Sequence, residues 1–246
     1  MHRTRWIAAL AVVALAAPAA ADKVITLKSH TDAMQMMGQS TPAKDEVHKY
    51  WFGKDTIRYD AGDLSTVINF GASKLFYIRH DEKTFSTIDL PIDFKKLVPP
   101  EMAPMMEQMS SMMQAKATVE PTGKSGSYAG YDCKFYKVDI SMAMMTTSMN
   151  SCVTKTLPVD FTRYRELVEA QAEMFPNMQW MKELTKLEGF PVHSDTTTTM
   201  MGKSFGSSQE LQSVEDATPP AGNYAPPAGY SEKEFNPMGA AGGRRR

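Results

Sequence analysis

Between residues 24 and 90 apolar and polar positions alternate in six short runs, VITLKSH, EVHKYWF, DTIRY, STVINF, KLFYIRH and TFSTIDL. Alternation with a period of two marks a strand with one buried face. The breaks between the later runs, such as Gly53-Lys54-Asp55, Asp60-Ala61-Gly62-Asp63, Gly71-Ala72-Ser73 and Asp81-Glu82-Lys83, are too short for a crossover. The six runs are therefore expected to pair as antiparallel neighbours in one twisted meander. Pairs such as Tyr50 and Phe52, Ile57 and Tyr59, Ile68 and Phe70, and Leu75 and Tyr77 make at least one face of it strongly apolar. Such a face needs a cover.

The period changes at PPEMAPMMEQMSSMMQAK. Pro99 and Pro100 end the extended region, and Pro104 is tolerated only in a first helical turn. At 100° per residue Met102, Met105, Met106, Met109, Met112 and Met113 fall within an arc of about 120°, with Glu107, Ser111 and Gln114 opposite. This predicts an amphipathic helix with a methionine face. A Gly/Ser-rich loop over residues 123–127 is expected next, then a hairpin over residues 131–156. A helix opened by Asp160 as N-cap follows (DFTRYRELVEAQAEMF), broken at Pro176-Asn177, and a shorter helix is expected around residues 178–187. A last hairpin, FPVHSDTTTTMM into SFGSSQELQSV, turns at Gly202-Lys203. From residue 217 the PPAG repeats and the Gly/Arg-rich end read as polyproline II, turns and a largely disordered tail. The fold class is α+β, mostly antiparallel β, with a single curved, unclosed sheet and helical insertions in its concavity.

Composition narrows the function classes. With 27 Lys+Arg against 28 Asp+Glu the formal charge is −1, which provides no basic footprint for nucleic acid. Residues 1–21 have Arg3 and Arg5, an apolar stretch over residues 7–17 and an A-x-A site at Ala19 and Ala21, the pattern of a secretory signal peptide. Its apolar run is too short to span a bilayer and none like it follows, so no transmembrane anchor is expected, and a periplasmic or secreted location is. The only cysteines, Cys133 and Cys152, would then meet an oxidising compartment, and a structural cross-strand disulfide is expected. The expected divisions are 1–21 signal peptide, 22–216 folded domain and 217–246 tail.

The order of these features resembles a known group. A meander of six strands, a helical insertion, a G-Y-x-C-x-x-Y strand (Gly130, Tyr131, Cys133, Tyr136), a second helical insertion, a G-F-P turn (Gly189, Phe190, Pro191) and a closing P-x-G-Y (Pro227, Gly229, Tyr230) resemble uncharacterised secreted bacterial proteins related to the LolA-like lipoprotein carriers. The resemblance implies an unclosed half-barrel whose helices cover a concave, apolar cavity, used in the better-known relatives to hold acyl chains.

The chemistry-bearing residues point away from catalysis. His30, His48, His80 and His193 form no metal or nucleophile motif, and GKSGSYAG and GKSFGSS lack the spacing of a phosphate loop. A non-enzymatic protein without a cofactor is expected. The 20 methionines are the unusual feature. A flexible thioether face over a curved sheet suits a hydrophobic ligand or lipid, which makes Met102, Met105, Met106, Met109, Met112 and Met113 the candidate binding residues. Thioethers also select Cu(I), so Met105, Met109, Met112, Met142 and Met145 are the candidates under a copper reading. Methionine as plain filler of the lid's core is a third reading, and an envelope interaction protein with no small ligand is the remaining function class.

Overall fold

A computed structural model describes residues 21–36, 39–98, 104, 115–143 and 145–237. Its strands are β1 Asp22–Thr31, β2 Met34–Met36, β3 Gln39–Thr41, β4 Lys44–Phe52, β5 Thr56–Ala61, β6 Leu64–Asn69, β7 Lys74–Arg79 and β8 Thr84–Asp89. They are followed by β9 Lys116–Tyr128, β10 Tyr131–Met142, β11 Met145–Thr154, β12 Phe190–Met200, β13 Lys203–Ala217 and β14 Ser231–Glu232. A helix, α1 Phe161–Met174, and a 3₁₀ segment, Pro176–Lys186, lie between β11 and β12. Among the described residues twelve strands form one sheet in the order β14-β8-β7-β6-β5-β4-β1-β13-β12-β11-β10-β9, and β2 pairs with β3 alone. The pairings are antiparallel except β14 with β8, and the edges β14 and β9 do not meet, so the sheet is open.

The six-run meander is present as β8-β7-β6-β5-β4-β1. Directly paired residues share a face, so one row runs Ile25, Tyr50, Tyr59, Thr66, Tyr77 and a second, opposite row runs Val24, Trp51, Arg58, Val67, Phe76. The first row lies on the inner face. There Ile25, Leu27, Tyr50, Ile57, Ile68 and Leu75 share one buried cluster with Leu167, Ala170 and Met174 of α1. Asp160 caps α1 by accepting the Thr162 amide at 2.8 Å, and Leu167, Val168, Ala170, Ala172 and Met174 are its buried positions. Pro176 then stops the helix, and the shorter helix expected next is present as the 3₁₀ segment. Trp180, Leu184 and Leu187 from this region pack on a second cluster formed by Tyr136, Val138, Ile140 and Val153.

Three local expectations are corrected. Residues 123–127 do not form a loop. They lie within β9, where a Cβ on Gly126 would come within 2.9 Å of the Phe135 ring, so the small residues admit that ring rather than break the strand. The last turn falls on Met201-Gly202, both with positive φ (51° and 77°), one residue before the expected position. The tail is not disordered over residues 218–237. It crosses the outer face, where Arg58 donates to the Asn223 carbonyl at 2.7 Å and Tyr224 donates to Asp22. It then adds β14 beside β8 and turns over that edge, and Phe235 meets Tyr77 and Phe175 with ring centroids 5.4 and 5.7 Å apart. Residues 238–246 lie outside the described residues.

Candidate functional site

The Met face predicted at Met102, Met105, Met106, Met109, Met112 and Met113 lies outside the described residues, as does Met144. The residues on either side of that stretch are placed. Leu97 packs on the first inner-face cluster, while Ala115 and Ala117 pack on the second. The connection from β8 to β9 thus joins opposite ends of the sheet, and both its anchors sit on the inner face.

The middle of the inner face is an aromatic block. The Tyr50 ring lies 4.6 Å from Tyr59, 5.5 Å from Phe190 and 5.8 Å from Tyr164 of α1, and Tyr164 meets Phe190 at 4.8 Å. Phe190 follows Gly189, whose φ of +149° and close approach to the Thr154 carbonyl leave no room for a Cβ. That is the physical content of the G-F-P motif. Each phenol in the block needs a polar partner. Tyr59, packed beside Tyr50, reaches His48 Nδ1 at 3.3 Å, and the Gln209 amide meets the same nitrogen at 3.1 Å. Burial drives the Tyr50 hydroxyl well above its ordinary pKa, pushes Tyr59 up to about 12 and raises Tyr164 as well. Burial also lowers His48. With Nδ1 accepting from Gln209, the imidazole is held neutral with its proton on Nε2. These polar groups form a chain from the apolar centre toward one end of the sheet, where His48 and Gln209 are half-buried.

Cys133 and Cys152 are bonded, with Cα atoms 5.4 Å apart. Because Phe135 is the direct partner of Cys152, the bridge runs diagonally between β10 and β11. A closed loop of this size stabilises by about 3 kcal/mol on the chain-entropy model. Cys133, Tyr136, Val153 and Gly126 line a cavity of about 550 Å³ whose rim is charged, with Lys155 and Glu188 paired at 2.6 Å. A smaller cavity of about 260 Å³ sits between β8 and the tail, among Tyr77, Arg79, Ser86 and Lys233.

The outer face holds a constellation that short-motif reading missed. Ser65 donates to Asp60, lies 2.8 Å from His80 Nε2 and accepts from Arg58 at 3.0 Å, while His80 Nδ1 bonds the Tyr230 hydroxyl at 3.0 Å. The residue types are those of a hydrolase triad, but Ser65 is 1% exposed and every partner is already engaged. A substrate carbonyl has no approach to its oxygen. What the network does is fasten Tyr230, the last residue of the P-x-G-Y motif, to β7. Its members are scattered over 173 positions, so only the β5-β6-β7 register could have revealed it.

A model of the family described as "Domain of unknown function (DUF4412)" matches residues 30–230, and the chain belongs to that family. No curated protein matches it. The match ends at Tyr230, so it includes the outer-face crossing and its fastening. Among the described residues no helix is long and apolar enough to cross a membrane, and no three His, Cys, Asp or Glu side chains are grouped to hold a metal ion.

Proposed function

We propose that this is an exported, non-enzymatic carrier or receptor of the LolA-like half-barrel kind, periplasmic or secreted, which holds a lipid or similar amphiphile against the inner face of its sheet. The observation that carries the reading is the composition of that face. Two adjoining apolar clusters supply a wall for a hydrocarbon chain, and the Tyr59-His48-Gln209 chain supplies a few convergent polar groups at one margin. The opposite wall is assigned to the methionine face of residues 102–113, because that stretch joins anchors on both clusters. Thioether side chains would let it shift at low cost to admit flexible chains. Export is supported by the signal-like residues 1–21 and by the Cys133–Cys152 bridge, which persists in oxidising compartments.

The test is binding of a fluorescent fatty-acid probe to delipidated protein lacking residues 1–21. Wild type should bind it saturably, and the combined Met105→Asp, Met109→Asp and Met112→Asp variant should bind at least about tenfold more weakly with its unfolding midpoint retained, a loss of about 1.4 kcal/mol or more in binding. Equal binding by the two proteins would remove the methionine face from the site.

A further inference from the structure

A different end of the sheet carries a second, independent feature. Met142, the last residue of β10, pairs directly with Met145, the first of β11, and Met145 pairs directly with Met200, the last of β12. Three thioethers therefore stand side by side on one face of three adjacent strands, with neighbouring Cβ atoms about 4.5–5.5 Å apart. All three are half-buried. The rows beneath them on that face are Ile140-Thr147-Thr198 and Val138-Met149-Thr196, built largely from the β-branched residues that strands favour. Methionine has no such advantage at a strand end, so packing alone does not account for three in register.

We propose that the Met142-Met145-Met200 row is a thioether site for a soft monovalent cation, Cu(I) in function. Neutral sulfur donors on flexible side chains can lean toward the central Met145 and share one ion, and they select Cu(I) over harder cations. The neighbouring cation in register, Lys203, opposes Met200, but its Nζ is directed to the Gln35 carbonyl at 3.2 Å, away from Met145. A thioether does not titrate, so binding here is independent of pH between 5 and 7, unlike binding by histidine or carboxylate. The site needs neither the inner-face ligand nor residues 102–113.

The experiment uses disulfide-intact protein with ¹³C-methyl methionine, titrated with silver nitrate in chloride-free buffer as a redox-inert stand-in for Cu(I). Met142→Leu, Met145→Leu and Met200→Leu assign the three resonances and keep the apolar volume. At one equivalent those three should move together, equally at pH 5 and pH 7, and the triple leucine variant should lose at least about tenfold in affinity. Cu(I) delivered under ascorbate should move the same three. Unmoved resonances at these positions, undiminished affinity in the triple variant, or first movement at the methionines of 102–113 would each overturn the assignment.

Discussion

His48 and His30 respond to acid in opposite directions, for reasons visible in their neighbours. Burial lowers His48 below its ordinary 6.5, and the Gln209 amide occupies the nitrogen that would take the second proton. Its folded form is thus fully favoured above about pH 6.5, and stability falls as pH drops from there toward the lowered folded pKa, because the unfolded chain binds the proton first. His30, beside Asp45 at 2.6 Å and Asp32 at 3.3 Å, is raised, mainly by its hydrogen bond to Asp45. Its contribution is complete below about pH 6.5 and lost as pH rises through the raised folded pKa. NMR titration should place His30 above and His48 below 6.5. In urea unfolding, His48→Gln should flatten the loss of stability between pH 6.5 and 5. An unchanged slope would show that His48 is not the group responsible.

At the scale of elements, the segment after β13 belongs to the fold. Val24, Val67 and Ile78 face outward on β1, β6 and β7, yet they are buried at 2%, 0% and 0% exposure. Residues 218–230 cross that face, and β14 then covers the edge of β8 that would otherwise offer unpaired backbone groups. Ending the chain after Ala217 should destabilise it by on the order of 5 kcal/mol, the burial of three aliphatic side chains. Tyr230→Phe alone should cost about 1 kcal/mol, one hydrogen bond to His80. Both are read by denaturant unfolding, and a truncated chain as stable as the full one would show the segment to be incidental. This segment also shows where pattern reading stops. The meander, the disulfide hairpin and the Asp160 cap were legible because each is a local periodicity or a local hydrogen bond. The tail's composition is that of a disordered chain, and its order depends on partners such as Arg58, Asp22 and His80 more than a hundred positions away. The Gly/Ser run in β9 misled for a related reason, since its small residues answer to the Phe135 ring on the next strand. The β2-β3 hairpin has strands of three residues each, too short for the Met34-Gln35-Met36 alternation to announce it.

For the molecule as a whole, one chain presents an open sheet with two differently used faces. The outer face is closed by the chain's own C-terminal segment and fastened through Ser65, His80 and Tyr230. The inner face carries the two apolar clusters, α1 and the 3₁₀ segment, and the anchors of the methionine-rich connection. Cys133–Cys152 ties β10 to β11, and Cys133 lines the cavity of about 550 Å³ at that end of the sheet. The methionine face expected from spacing over residues 102–113 lies outside the described residues, whereas the Met142-Met145-Met200 row emerges only from strand register, since Met200 is 55 positions from Met145.

Under the proposed function the protein is exported and holds an amphiphile on its inner face. Native mass spectrometry of the protein recovered from an exported compartment, compared with the same sample denatured, tests it most directly. The expected result is a chain beginning after residue 21, two hydrogens light for its disulfide, with a non-covalent mass excess that matches a lipid and disappears on denaturation. A bare polypeptide of the same mass in both conditions would contradict it.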